Sequence, residues 1–521
     1  MNQSHTYDDV PYPDLCYAYT HPGRIAAIAT LLGMQPTPVE NCRVLELGCA
    51  GGGNLIPMAY GLPNSTFTGI DNSARQIEMA QQKATALGLD NITLQTMDIM
   101  EVAPDFGEFD YIIVHGIYAW VPPAVQDQLL AICQQNLAPQ GVAYISYNTL
   151  PGWHMVLMVR EMMQYHTRKV TDPRQRADLA RTLINDLVQM IPESENSAYA
   201  AFLHTYADMR FDKLGGHTDW EDSALLHDEL SEYNTPLYFH QFIEHAAQHG
   251  LQYLAEADFT QVMMHDLPEN TQLRLQEMAH DTIELEQYLD FVRHQTFRRT
   301  LLCHESVDVD RTLRAERIRH LYISSRAVLL ADNDGNEYFR THDGSTFPAE
   351  HPLTTAALRY LSQISPRAVR FEPLLKQACA RLNLAQPTPE DAHMLAINLL
   401  QAFTYSLQMA EMMTCSPDFT IEISERPLAS PLARLQVQIA PLISNLRHEQ
   451  VELDGLSRAV TPFLDGQHTL PMLVDELADM VAAGQLAPSK EHATPEQIRK
   501  QLDHDIRYAL RWLSRAALLI G

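Results

Sequence analysis

Three acidic residues stand where short apolar runs give way to polar turns. Residues 42–47 (CRVLEL) carry Glu46 near their end and run straight into Gly48-Cys49-Ala50-Gly51-Gly52-Gly53-Asn54. A second run, 65–70, ends in Asp71 and Asn72, and a third, 92–97, ends in Asp98 and Ile99. Glycines let the backbone bend sharply and let a ligand come close, and a helix that follows such a turn offers unpaired N–H groups. A carboxylate closing the next strand is placed to accept both hydroxyl hydrogens of a ribose. The spacing therefore predicts strand, glycine turn, helix, strand, acid, which is a site for a nucleoside cofactor.

Two registers fit the turn. Gly48, Ala50 and Gly53 read as a dinucleotide fingerprint with alanine in the middle. Glu46, Gly48, Ala50 and Gly52 read as acidic-x-Gly-x-Gly-x-Gly, with an acid that repels pyrophosphate and suits the cationic amino-acid end of S-adenosylmethionine. With Asp71 and Asp98 in place, the segment resembles the class I S-adenosylmethionine-dependent methyltransferases. The resemblance implies that Glu46, Gly48, Cys49 and Gly52 surround the amino-acid end, that Asp71 and Asn72 take the ribose, and that Asp98 and Ile99 grip adenine.

The elements that must position these residues follow in regular order. Residues 109–114 predict a fourth strand, ending in His115, Gly116, Tyr118 and Trp120, and Pro123 opens a helix. Pro139-Gln-Gly141 predicts a turn into a fifth strand, 142–147, which ends in Asn148. Alternating units of this kind make an α/β fold: a doubly wound, Rossmann-like parallel sheet whose ligands sit at the carboxyl ends of the strands. Residues 156–234 are rich in helix formers and predict a lid. The sheet resumes with a helix over 238–249, a sixth strand at 251–254, a helical stretch over 271–294 and an antiparallel seventh strand at 297–304.

A more specific set joins Tyr7-Asp-Asp-Val-Pro11-Tyr12, Thr20-His21-Pro22, His115-Gly116, Tyr147-Asn148, Pro151-Gly152-Trp153-His154, His227-Asp-Glu-Leu230, Asn234 and Gly250 to Leu254. It resembles bacterial methyltransferases with a methyltransferase regulatory domain, a group that includes rickettsial protein-lysine methyltransferases. The resemblance is strong over residues 7–304 and loose beyond, through Asn445-Leu-Arg447-His448 and Leu464-Asp465-Gly466. It implies transfer to a protein amine. A sulfonium methyl is already activated, so the protein must align an acceptor and exclude water. A lysine amine must also lose its proton, which an apolar pocket favours. Tyr118 and Asn148 are the expected acceptor-positioning residues, Tyr118 and Trp120 the pocket walls, and Tyr12, His21, His115 and Gly116 further cofactor neighbours. A small-molecule methyltransferase and a non-catalytic cofactor-binding regulator stay open at this point.

The whole chain bounds these readings. Its 521 residues exceed one hydrophobic core. Lys plus Arg is 37 against 65 Asp plus Glu, and a net charge of -28 disfavours nucleic acid. Seven scattered cysteines without a C-x-x-C pair predict reduced thiols in a cytoplasmic protein, and no signal peptide or apolar membrane span is expected. His245 and His249 lack the glutamate of a zinc protease motif, so no metal is expected. After residue 306 a hairpin around Asp332-Asn-Asp-Gly335 precedes amphipathic helices, and 354–381 and 456–483 read as winged-helix-like modules. Lysine occurs there only at 376, 490 and 500. Protein docking or homodimerisation is the expected use. The expected divisions are 1–155 and 235–306 for the core, 156–234 for the lid, 307–440 for a hairpin-plus-helix domain and 441–521 for the last module.

Overall fold

The computed structural model describes residues 14–192, 197–212, 223, 225–332, 334–384, 386–487 and 494–521. Seven strands form one mixed sheet: β1 Arg43–Leu47, β2 Thr66–Asp71, β3 Ile92–Thr96, β4 Phe109–Val114, β5 Leu137–Asn148, β6 Leu251–Glu256 and β7 Phe297–His304. Their order is β3-β2-β1-β4-β5-β7-β6. The first five are parallel, and β7 lies antiparallel between β5 and β6. Helices cover both faces, so β4 is buried at every position, as expected for a central parallel strand. The order reverses between β1 and β4, and a crevice opens there beyond the strand ends.

Several boundaries differ from the periodicity, each time because a tertiary partner decides. Pro139-Gln-Gly141 does not end a strand. Leu137 pairs with Phe109 and Val142 with Tyr111, so the three residues bulge inside a continuous β5. The stretch 271–294 is two helices, Glu269–Met278 and Thr282–Arg293, the second started by Asp281, whose carboxylate accepts from the Glu284 amide. The helix that starts at Pro389 stops at Tyr405, and Glu411–Met413 forms a strand against Tyr322–Ser324. The helix opened by Thr494 stops at Arg515, leaving Leu519 to bridge Ala429.

Between β5 and β6, helices Trp153–Thr167, Pro173–Met190 and Ala198–Ala207, in the stretch expected to form a lid, pack around their own small core, with Val159, Met163, Ile184 and Leu203 buried. Arg160 on the first helix donates to the carbonyls of Asp228, Glu229, Ser231 and Glu232. One side chain thus pins the strap that returns to the sheet, where Thr235 N meets Ala119 O at 2.7 Å.

The carboxyl-terminal third falls into two parts. Helices Pro352–Ile364, Phe371–Arg381 and Pro389–Tyr405 bury Leu358, Phe371 and Leu399 in the same apolar cluster as Ile25, Met58 and Leu301 of the amino-terminal part. Residues from Ala429 onward have a separate core around Leu473, Ile506 and Leu513.

Candidate active site

Loop β1–β2 is built for close approach. Gly48 has φ +71°, and a Cβ there would lie 1.9 Å from Ile117 Cδ1. Gly52, also left-handed at φ +78°, turns the chain, and a Cβ would press on Ile56 and Ala80. Ala50 accepts a left-handed φ of 47°, which costs roughly 1–2 kcal/mol for an L-residue. The Ala50 amide donates to Asp71 Oδ2 at 3.0 Å, which ties the loop to the end of β2.

A cavity of about 570 Å3 opens over the strand ends, and the expected residues Glu46, Gly48, Cys49, Asp71, Asn72, Asp98, Ile99, His115, Gly116 and Asn148 line it. Glu46 is buried; its Oε1 accepts from Asn54 Nδ2 at 2.6 Å, while its Oε2 is buried without a hydrogen-bond partner among the described residues. Burial, with Asp71 nearby, pushes the Glu46 carboxyl up to about 7. Asp71 Oδ1 accepts from the Ser73 amide at 2.9 Å. Asp98 accepts from the Met100 amide at 2.9 Å, and this cap holds the turn that carries Ile99. Burial and the charge of Arg299 hold His115 down at about 3, so its ring is neutral. It packs on Tyr17 at 3.7 Å between centroids.

Tyr12 lies outside the described residues. Three other expected residues do not line the cavity. His21 does not line the cavity; its Nδ1 caps the helix Pro22–Leu31 by accepting from Gly23 N at 3.0 Å, as a residue before a first-turn proline often does. Gly52 shapes the loop from behind, without facing the cavity. Tyr118 points into the core, against Phe242 and Tyr147, and its hydroxyl meets His245 Nδ1 at 2.6 Å. His245 Nε2 in turn lies 2.7 Å from Asp127, so the His245/His249 pair has an acidic neighbour from a distant helix, and none of the three lines the cavity.

Residues beyond the expected site residues complete the wall. Tyr17, Phe297, Trp153, His227 and Asp228 face the same space, with Trp120 and Trp153 edge-on at 5.7 Å. Trp153 and His227-Asp-Glu-Leu230 carried a sequence signal, through the family resemblance. Tyr17 carried none, because nothing local shows that an amino-terminal loop folds back over β4. Asp228 is paired with Arg210 at 3.1 Å, and burial beside Glu229 pushes its carboxyl up to about 6. Asn148 donates to Asn234 Oδ1 at 3.3 Å, and Asn234 Nδ2 is buried without a hydrogen-bond partner among the described residues.

A parallel sheet that reverses beside an acidic glycine loop, with acids closing the next two strands, is the architecture of an S-adenosylmethionine-dependent methyltransferase. Comparison with known proteins agrees: residues 38–188 match a methyltransferase domain, 221–304 a predicted methyltransferase regulatory domain, and 425–518 the PKMT C-terminal winged helix domain. The chain belongs to the bacterial methyltransferase family that combines these three parts, and it is similar to rickettsial PKMT2. The protein RP789 of Rickettsia prowazekii is 37% identical over 387 residues, 72% of this chain and 68% of that protein. RP028 of the same organism is 38% identical over 244 residues, 46% of this chain and 93% of that protein. The structure of PKMT2 from Rickettsia typhi, solved also in complex with AdoHcy, superposes with a TM-score of 0.84 at 27% identity, covering 98% of this chain and all (100%) of that one.

The protein is therefore an enzyme that uses S-adenosylmethionine. The residues fit that cofactor: the lone buried oxygen of Glu46 asks for a donor, and an α-ammonium group supplies one. Among the described residues no helix is long and apolar enough to cross a membrane.

Proposed function

We propose that this enzyme methylates a lysine side chain of a protein substrate, in the cytoplasm. The observation that carries the reading is the cavity wall, to which Trp120, Trp153, Asn148 and Asp228 contribute together with Glu46 and Asp71, the two indoles meeting edge-on. The indoles suit the aliphatic stem and the ammonium head of lysine, since a cation over an aromatic face is attracted to it. Asp228 draws the ammonium in and accepts its proton, and the partly apolar pocket favours the neutral amine that attacks. Asn148, fixed by Asn234, accepts a hydrogen bond through its free carbonyl and aims the lone pair. S-adenosylmethionine, when bound, supplies an electrophilic methyl group on sulfur. Glu46, Asp71 and Asp98 hold the amino-acid end, the ribose and the adenine.

Protein, not nucleic acid, is the docking partner that the charge of -28 supports, because it attracts basic segments. The test is to incubate the full chain with methyl-labelled S-adenosylmethionine and a bacterial lysate, then to sequence the labelled species by mass spectrometry. Methyl-lysine in a protein band is the expected result. Label confined to the small-molecule fraction would overturn the reading.

A further inference from the structure

The carboxyl-terminal domain reaches the cofactor loop through one side chain. A hairpin of Leu442–Ser444 and Gln450–Glu452 carries the turn Asn445-Leu-Arg447-His448-Glu449. Asn445 locks that turn, its Oδ1 accepting from the amides of Arg447 and Glu449, each at 2.9 Å, and its Nδ2 donating to Ala516 O at 3.0 Å. Arg447, fully buried, anchors the turn to the rest of the molecule: it donates to Pro366 O at 2.8 Å and pairs with Glu411, which also receives Arg24 at 2.6 Å. Arg326 meets Glu449 at 2.6 Å. Ion pairs therefore seat the hairpin on the amino-terminal helix and on the strand Glu411–Met413.

His448, at the tip with a left-handed φ of 59°, is buried, and its Nε2 lies 2.9 Å from Asn54 Oδ1. The Tyr17 amide donates to that same oxygen at 2.9 Å, while the Thr20 hydroxyl, 3.0 Å away, has its one hydrogen on Tyr17 O at 2.8 Å. The Tyr17 amide can only donate, so it decides which way the Asn54 amide faces, and the NH2 group points at Glu46 Oε1, 2.6 Å away. It decides the histidine as well. Nε2 must carry the proton, and Nδ1, buried without a hydrogen-bond partner among the described residues, is left as a bare acceptor. The outcome is that Glu46 has one oxygen satisfied and the other free toward the cavity.

We infer that His448 is a positioning residue: through Asn54 it orients Glu46 to receive the amino group of the cofactor, so the winged-helix domain completes the cofactor site. This rests on the assignment of Glu46 to the cofactor's amino-acid end. The domain thus supports the cofactor loop from behind the cavity wall, in addition to any docking role. Without the domain the Asn54 carbonyl would keep only the Tyr17 amide, so one hydrogen bond instead of two would hold the NH2 group on Glu46.

The test compares the full chain with His448→Leu and His448→Gln. Leucine fills much of the space and donates nothing, whereas glutamine can place an N–H where Nε2 stands. Calorimetric titration with S-adenosylhomocysteine should show about tenfold weaker binding for His448→Leu, the loss of one hydrogen bond of this kind, and recovery to within about twofold for His448→Gln. Asn54→Asp, which removes the NH2 group itself, should weaken binding at least as much as His448→Leu and keeps the inference testable if that variant does not fold. Wild-type affinity in either His448→Leu or Asn54→Asp overturns it, and so does a His448→Gln protein that binds as weakly as His448→Leu. A Glu46→Gln control separates the two levels. If it loses affinity and His448→Leu does not, the inference alone fails; if neither does, the assignment of Glu46 fails with it.

Discussion

Glu46 and Glu286 are both buried glutamates of the same domain, and burial pushes each carboxyl up to about 7. Their surroundings make them opposites. Glu286 belongs to a closed hub in which Arg298 of β7 reaches Glu256 at 2.8 Å, Glu286 at 3.0 Å and Asp290 at 2.8 Å, with the guanidinium 3.9 Å over the Phe239 ring. Glu46 has one neutral partner, a free oxygen and an open cavity in front of it. A displaced carboxyl is therefore no site by itself. In the hub the polar capacity is spent inside the protein and serves to hold β6, β7 and the helix Thr282–Arg293 together. In the loop it is withheld, and that unspent capacity is what a ligand recognises.

The comparison can be broken most violently at the hub. Arg298→Ala leaves three buried acids without a counter-charge, and the loss of stability should be about 3–5 kcal/mol, read from urea denaturation. Unchanged stability would mean that the hub carries no structural load. At the loop the expected pattern is reversed. Glu46→Gln should fold at least as stably as the wild type at neutral pH yet bind S-adenosylhomocysteine about 1.5–3 kcal/mol more weakly, because a charge-assisted hydrogen bond is lost. The pH dependence sharpens this. Since the folded carboxyl titrates near 7, above the ordinary 4.5, the folded protein holds a proton that the unfolded chain has released between those values. Glu46 therefore costs the unliganded enzyme stability as pH rises through that window. A cationic ligand needs the ionised form, so affinity should climb by up to about tenfold per unit toward pH 7 and level off above it, and Glu46→Gln should flatten the profile. The smallest effect is expected at Tyr118. Its hydroxyl meets His245 and does not face the cavity, so Tyr118→Phe should change turnover by less than about twofold and stability by about 1 kcal/mol. A large drop in turnover would return Tyr118 to the acceptor pocket.

Legibility followed the same division. The acids Glu46, Asp71 and Asp98 were readable because a strand end, a glycine turn and the next strand are consecutive in the chain, and local geometry alone brings them to one edge. Tyr118 misled because it shares a loop with Trp120: adjacent residues on an irregular turn face different ways, and only the packing of Phe242 decides which one enters the core. His21 looked like a ligand and is a cap. Arg160 and Arg298 gave no signal, since an arginine's partners lie on other elements.

By itself, then, the order of apolar runs, glycines and acids determined the doubly wound sheet, the cofactor class and many of the residues that line the cavity, since these depend on residues close in sequence. Tertiary structure decided the remainder: that Asp228 lines the cavity, that Tyr17 folds back onto His115, and that His448 reaches Asn54 from nearly four hundred residues away (|i−j| = 394). Those placements arise from burying separate apolar faces and pairing the charges between them, and neither interaction leaves a periodic trace along the chain.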